Sequence, residues 1–229
     1  MNCLLCNGQV DQGLTLSQIL SFQALTTDSV CSACRQQFSP LNRVKTCRLC
    51  GRKLLAAMPD PCLDCEKWRR AFPYPFASRN LYEYNDAMRE FMKQYKFMGD
   101  YRLRAVFSAI LTAELRTTHR LIVPIPVHES TLATRGFNQV TGLLEPLKLC
   151  ECLATRDQQK TGRQSAKNRL TRVLAEQPFK LKPDMQAQIM AKPVVLVDDV
   201  YTTGTTIRHA AGLLMAAGAA SVVGLTLAR

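Results

Sequence analysis

Residues 194 to 206 read V-V-L-V-D-D-V-Y-T-T-G-T-T, and few folds accommodate such a run. Val194 to Val197 form a short aliphatic segment that suits a strand buried on both faces, as in a parallel sheet covered by helices. Two adjacent carboxylates, Asp198 and Asp199, follow where that strand should surface. Thr202, Thr203, Gly204, Thr205 and Thr206 then form a small polar loop that opens a helix. At the carboxyl edge of a parallel sheet, such a strand–loop–helix turn is where α/β folds bind ligands. The loop can point backbone N–H groups and hydroxyls at one anion, helped by the positive end of the helix behind it. Gly204 permits a positive φ and close approach of the anion. The paired Asp side chains can accept hydrogen bonds from two vicinal hydroxyls. Phosphate beside a diol describes ribose 5-phosphate. A plain βα turn with a capping threonine and a solvated acid pair is the alternative.

Cysteine is the second constraint. Eight of the ten cysteines precede residue 66, in four C-x-x-C pairs: Cys3/Cys6, Cys31/Cys34, Cys47/Cys50 and Cys62/Cys65. Each such turn presents two sulfurs to one tetrahedral ion at a Zn–S distance of about 2.3 Å. The first residues show no basic, then apolar, leader. We therefore expect a cytoplasmic setting, in which thiols hold metal rather than forming a disulfide framework. Residues that tolerate positive φ, Asn7 and Gly51, follow Cys6 and Cys50. Two structural Zn²⁺ ions in sequential zinc ribbons are the preferred assignment: Cys3, Cys6, Cys31, Cys34, then Cys47, Cys50, Cys62, Cys65. Interleaved pairing and redox chemistry are the alternatives. Cys150 and Cys152, two apart, predict one face of a strand and buried free thiols.

Formal charge is +12, with a pI near 9.4. Two Cys₄ zinc sites would reduce the charge to about +8. A basic chain favours phosphate-rich partners, though charge alone selects none. The uncharged run Ala210 to Ala228 is broken by Gly218. It reads as helix, turn and strand rather than a membrane span, so no membrane insertion is expected.

Residues 1–70 lack long periodic runs, as in a metal-held module too small to fold by burial alone. Residues 71–78, with Pro73 and Pro75, read as a linker. From 79 to 229 strands and helices alternate. A strand is expected at Leu81–Tyr84. A helix capped by Asn85 should follow, with Met88, Phe91, Met92 and Tyr95 three and four apart and Gly99 at its end. Leu103, Val106, Phe107, Ile110 and Leu111 mark a second helix, Leu121–Val123 a strand, and Val140, Leu143, Leu144 and Leu147 a third helix after Asn138. This order predicts a doubly wound parallel sheet. The basic stretch Arg156 to Arg172 fits a hood over pyrophosphate, a solvated loop, or a groove for a nucleic-acid backbone. Trp68, Phe72, Tyr74 and Phe76, near Arg69 and Arg70, are the aromatic residues that could stack on single strands.

The run from Val194 to Thr206 closely resembles the 5-phosphoribosyl 1-pyrophosphate (PRPP) motif of type I phosphoribosyltransferases, position by position. The resemblance implies PRPP binding with Mg²⁺, by Asp198 and Asp199 as catalytic carboxylates and by Thr202 to Thr206 on the phosphate. It places a pyrophosphate loop at Val123-Pro124-Ile125-Pro126-Val127-His128, with contacts from Ile125, Val127 and His128. That loop departs from the common pattern in having no Lys or Arg immediately beside it; Arg135 could reach in. In order along the chain come the paired cysteines, Lys96-Phe97-Met98-Gly99-Asp100, Pro124-Ile125-Pro126, Arg135-Gly136-Phe137-Asn138-Gln139 and the PRPP-type run. Together they resemble the ComF family of competence proteins (ComFC type, with GntX-like relatives) over essentially the whole chain. The implied fold is a type I phosphoribosyltransferase-like parallel sheet flanked by helices, preceded by a small zinc-ribbon module. The implied role is cytosolic handling of incoming single-stranded DNA in natural transformation, with a helicase-like competence ATPase as partner. An active phosphoribosyltransferase on an unknown acceptor, or a PRPP-responsive regulator, is the alternative.

Overall fold

A computed structural model describes residues 1–10, 28–156 and 177–229. Its strands are β1 (Ser78–Tyr82), β2 (Leu121–Pro124), β3 (Leu153–Thr155), β4 (Phe179–Leu181), β5 (Pro193–Val200) and β6 (Ser221–Ala228). Four of them form a wholly parallel sheet in the order β1–β6–β5–β2, while β3 and β4 pair as an antiparallel ribbon. The helices are α1 (Ser32–Gln36), α2 (Leu63–Ala71), α3 (Asp86–Lys96), α4 (Ala105–Arg116), α5 (Glu129–Arg135), α6 (Gln139–Leu143), α7 (Gln186–Ile189) and α8 (Thr205–Ala216). Among the described residues no helix is long and apolar enough to cross a membrane.

Alternation along β5 explains the layering, because successive side chains in a strand point to opposite faces. Val195 and Val197 pack with Met88, Phe91, Met92 and Tyr95 of α3 and with Phe107 and Leu111 of α4. Val194 and Leu196 pack on the other face with Ile207, Ala210, Ala211 and Leu214 of α8. Asn85 caps α3 by accepting the Met88 N–H at 3.0 Å, and Gly99 takes φ +72° just past its end. Both were legible in the sequence.

Three expectations are corrected. The first strand begins at Ser78 and ends at Tyr82, because its hydrogen bonds to β6 run from Ser78↔Gly224 to Tyr82↔Ala228. Leu103 lies in a 3₁₀ turn, Tyr101–Arg104, ahead of α4, where Asp100 accepts the Arg102 N–H. Cys150 and Cys152 precede β3 rather than sharing a strand. Both are buried free thiols as expected, and burial pushes Cys152 up to about 12. Beyond Arg156, the basic stretch to Arg172 lies outside the described residues.

The eight N-terminal cysteines form two sequential clusters with the membership expected, the four sulfurs of each lying within 4.8 Å of one another. The two hairpin knuckles are alike. Cys3 N–H donates to Gly8 O and Asn7 N–H to Cys3 O; Cys47 N–H donates to Arg52 O and Gly51 N–H to Cys47 O. Asn7 and Gly51 hold φ +58° and +63°. The other half of each cluster is a helix start, with Cys31 and Cys62 in the N-cap positions of α1 and α2.

The clusters dock differently. Cys3 and Cys34 pack with Val10, Val30 and the flank of α4 at Val106, and Ser29 Oγ donates to Ala105 O at 3.3 Å. The second cluster is continuous with the sheet core: Cys47, Cys50, Cys62 and Cys65 join Phe76, Leu196, Tyr201 and α8. Asn80 of β1 fastens it, donating to Cys50 O at 2.7 Å while its Oδ1 accepts from Thr226 Oγ1 at 2.7 Å.

Candidate ligand site and metal centres

The sulfur positions fit zinc. Four ligands at about 2.3 Å around a tetrahedral ion stand about 3.8 Å apart. Cys6–Cys31 and Cys47–Cys65 are 3.8 Å apart and Cys50–Cys62 3.6 Å, far from the roughly 2.05 Å of a disulfide. Backbone amides already serve the sulfurs: Cys31 N–H and Leu5 N–H reach Cys3 Sγ at 3.3 and 3.4 Å, and Cys62 N–H reaches Cys47 Sγ at 3.4 Å. The Cys50 thiol is lowered to about 5, chiefly by the Cys65 hydrogen bond against the cost of burial, with help from the Arg229 charge. The thiolate is the form that binds metal. All four cysteines of the second cluster are buried, whereas Cys6 of the first is exposed. We predict two zinc ions per chain, with one released to a chromophoric chelator much faster than the other. Cys6→Ser should abolish the fast phase. Two equal release rates, or a stoichiometry of one, would contradict this assignment.

At the carboxyl edge of the sheet, β5 runs through both acidic residues to Val200, three residues farther than a strand ending at Val197. Asp198 lies opposite Thr226 of β6. Asp198 and Asp199 therefore point to opposite faces. The Asp199 carboxylate, 5% exposed, turns toward α3, where Lys96 Nζ forms an ion pair with Oδ2 and the Val200 N–H donates to Oδ1 at 2.7 Å. Asp198 Oδ1 accepts the Asp199 N–H at 2.9 Å. Burial, then the Asp199 charge, holds the Asp198 carboxyl well above the usual carboxylate range; the Asp199 amide and Lys96 oppose this only in part.

The loop after β5 turns on Gly204 at φ +80°, and α8 starts at Thr205. Its first N–H groups have no partner within the helix; that of Thr205 donates to Thr203 Oγ1 at 3.4 Å. Thr203 and Thr205 hydroxyls lie 2.9 Å apart. Trp68 Nε1 of α2 donates to the Thr203 carbonyl at 3.1 Å. A cavity of about 490 Å³ opens beside Thr202, bordered by Tyr84, Tyr201 and Arg229.

The loop after β2 is the neighbouring edge. Ile125 is committed to the scaffold: its N–H donates to Val197 O at 2.9 Å, and its carbonyl accepts from Asn138 Nδ2 at 3.2 Å. His128 caps α5, its Nδ1 accepting the Ser130 N–H at 3.2 Å. Arg135 bonds Gln139 Oε1, and its Nε is buried without a hydrogen-bond partner. Phe137 packs on Tyr95 and Tyr101, and Tyr95 Oη donates to Gln139 O at 2.9 Å. The Arg135–Gln139 block thus ties the α5–α6 junction to α3. Lys96 was missed as a site residue. It lies four residues after buried Met92, so a cation on the buried stripe of α3 was the available signal.

No protein-family model matches the chain. It is 36% identical over 231 residues to the competence protein ComFC of Streptococcus pneumoniae, covering the whole of both chains. It is 33% identical to ComFC of Bacillus subtilis, over 99% of this chain and 94% of the relative. The DNA utilization protein YhgH of Salmonella typhimurium is 28% identical, over 87% of this chain and 89% of the relative. A parallel sheet, two four-cysteine clusters and full-length identity to ComFC place the chain in the ComFC family of competence proteins.

Proposed function

We propose that this protein serves DNA uptake in natural transformation, handling incoming single-stranded DNA in the cytosol, and that it binds PRPP with Mg²⁺ at the carboxyl edge of its sheet. The names of its relatives, competence protein and DNA utilization protein, support the cellular role. One observation carries the ligand reading: β5 carries Asp198 to the carboxyl edge of the sheet, and the positive-φ Gly204 turn a few residues on opens twelve-residue α8. A phosphate there would meet the N–H groups of the first turn of α8 and the helix dipole, and ribose hydroxyls would meet the Asp198 carboxylate. Mg²⁺, which prefers oxygen ligands and phosphate, would add positive charge where the acidic pair is costly. Val127, His128 and Arg135 are the groups of the β2 edge proposed to meet pyrophosphate. Two zinc ions serve structure. A helicase-like ATPase is the proposed partner.

Asp198→Asn tests the ligand reading. Because burial raises the folded carboxyl's affinity for its proton, wild-type stability is fullest below the ordinary carboxylate range and is lost as pH rises toward the folded value. The neutral amide escapes that loss. We expect Asp198→Asn to unfold about 5 °C higher than wild type at pH 8, with the gap closing near pH 4, and to lose calorimetric PRPP–Mg²⁺ binding. A variant that binds PRPP as wild type does would sink the proposal.

A further inference from the structure

Arg208 is 4% exposed, yet forms no ion pair among the described residues, and its Nε has no hydrogen-bond partner. Its guanidinium instead lies 5.0 Å from the Trp68 ring centroid, 5.0 Å from Phe76 and 5.9 Å from Phe72. Aromatic faces offset part of the cost of burying a cation, but among the described residues no carboxylate pairs with it. Arg208 lies in the first turn of α8, its amide bonded to Gly204 O at 3.1 Å. Tyr201 lies beneath the same loop, with the Arg229 guanidinium 4.2 Å over its ring. Two cations therefore flank the underside of the phosphate-type loop.

Both Arg208 and the loop lean on the second cysteine cluster. Cys62 and Cys65 start α2, and the next turn of that helix presents Trp68, whose ring covers Arg208 and whose N–H holds Thr203 O. The first cluster has its contacts at α4 instead.

We propose that the second cluster, through Trp68 and Arg208, is a working part of the phosphate site. Trp68 is a positioning residue for the loop, and Arg208 is the buried cation whose counter-charge is the ligand's phosphate. The role of Arg208 rests on the ribose-phosphate reading above; the coupling of metal to loop does not.

Trp68 is the only tryptophan in the chain, so its emission reports on the loop directly. The test uses zinc-loaded full-length protein, with hydrogen exchange of residues 201–206 measured without ligand and calorimetry with PRPP–Mg²⁺ and with inorganic phosphate. Trp68→Phe should keep both zincs, exchange faster across the loop and bind PRPP about fivefold weaker. Arg208→Met should weaken PRPP and phosphate about tenfold or more, with Arg208→Lys recovering part of the loss. Cys62→Ser should shift Trp68 emission and speed loop exchange, while Cys6→Ser leaves both unchanged. Wild-type exchange in Trp68→Phe and Cys62→Ser overturns the coupling even if PRPP binds. Failure of wild type to bind either phosphate probe overturns the role of Arg208 together with the PRPP reading, and loop exchange still decides the coupling.

Discussion

Gly204→Ala is expected to lower the unfolding midpoint by about 8 °C and to abolish calorimetric binding of PRPP. The residue sits at φ +80°, where a side chain costs roughly 1–2 kcal/mol. Space is the second obstacle. A Cβ at this position would run into the Tyr201 hydroxyl and ring, and Tyr201 is 4% exposed beneath the loop. Displacing a packed ring adds about 1–3 kcal/mol, and each kcal/mol is worth about 2–4 °C in a chain of this size. Relief by rotating the peptide would withdraw the N-terminus of α8 from the loop. A thermal melt and a titration of the same sample measure both effects. A variant that melts and binds like wild type would show that the loop tolerates another geometry.

Lys96→Met is expected to destabilise the protein by about 3–5 kcal/mol, the usual cost of leaving one member of a buried ion pair alone. The Lys96 side chain is 17% exposed and that of Asp199 only 6%, so water screens the pair little. Loss of the ammonium leaves two adjacent carboxylates, one of them already held above its usual range by burial and by its neighbour. The defect should therefore grow as pH rises above the carboxylate range. Replacing both partners with apolar residues, Lys96→Met with Asp199→Leu, should restore most of the stability while leaving ligand binding lost. Urea unfolding of the two single variants and the double variant gives the coupling. Additive losses would mean that the pair contributes nothing as a pair.

These two predictions mark where local pattern ends. The loop was legible because the strand, acidic pair and Gly-containing turn are contiguous, and local chemistry restricts such a run to few conformations. Asn85, Gly99, Asn7 and Gly51 were legible for the same reason: capping and positive φ are decided within a few residues. The β1 boundary was not, because its strand is defined by its partner β6, about 146 residues away. Cys150 and Cys152 show the opposite failure. Their alternation matched a strand, but their backbone bonds go to two different partners, Cys150 N–H to Ile122 O and Cys152 O from Lys182 N–H, and the regular ladder begins only at Leu153.

What the chain determined by itself was the class of the fold, the four C-x-x-C knuckles and the position of the Gly-containing βα turn, since each depends on short-range spacing of chemically distinctive residues; which knuckles share a cluster was left to the tertiary structure. Tertiary structure alone decided how these parts connect. It set Lys96 against Asp199, buried Arg208 among Trp68, Phe72 and Phe76, and placed Trp68 on the Thr203 carbonyl across 135 positions of sequence. A charge on a buried helical stripe announces that a partner exists. Only the packing of one layer on another names it.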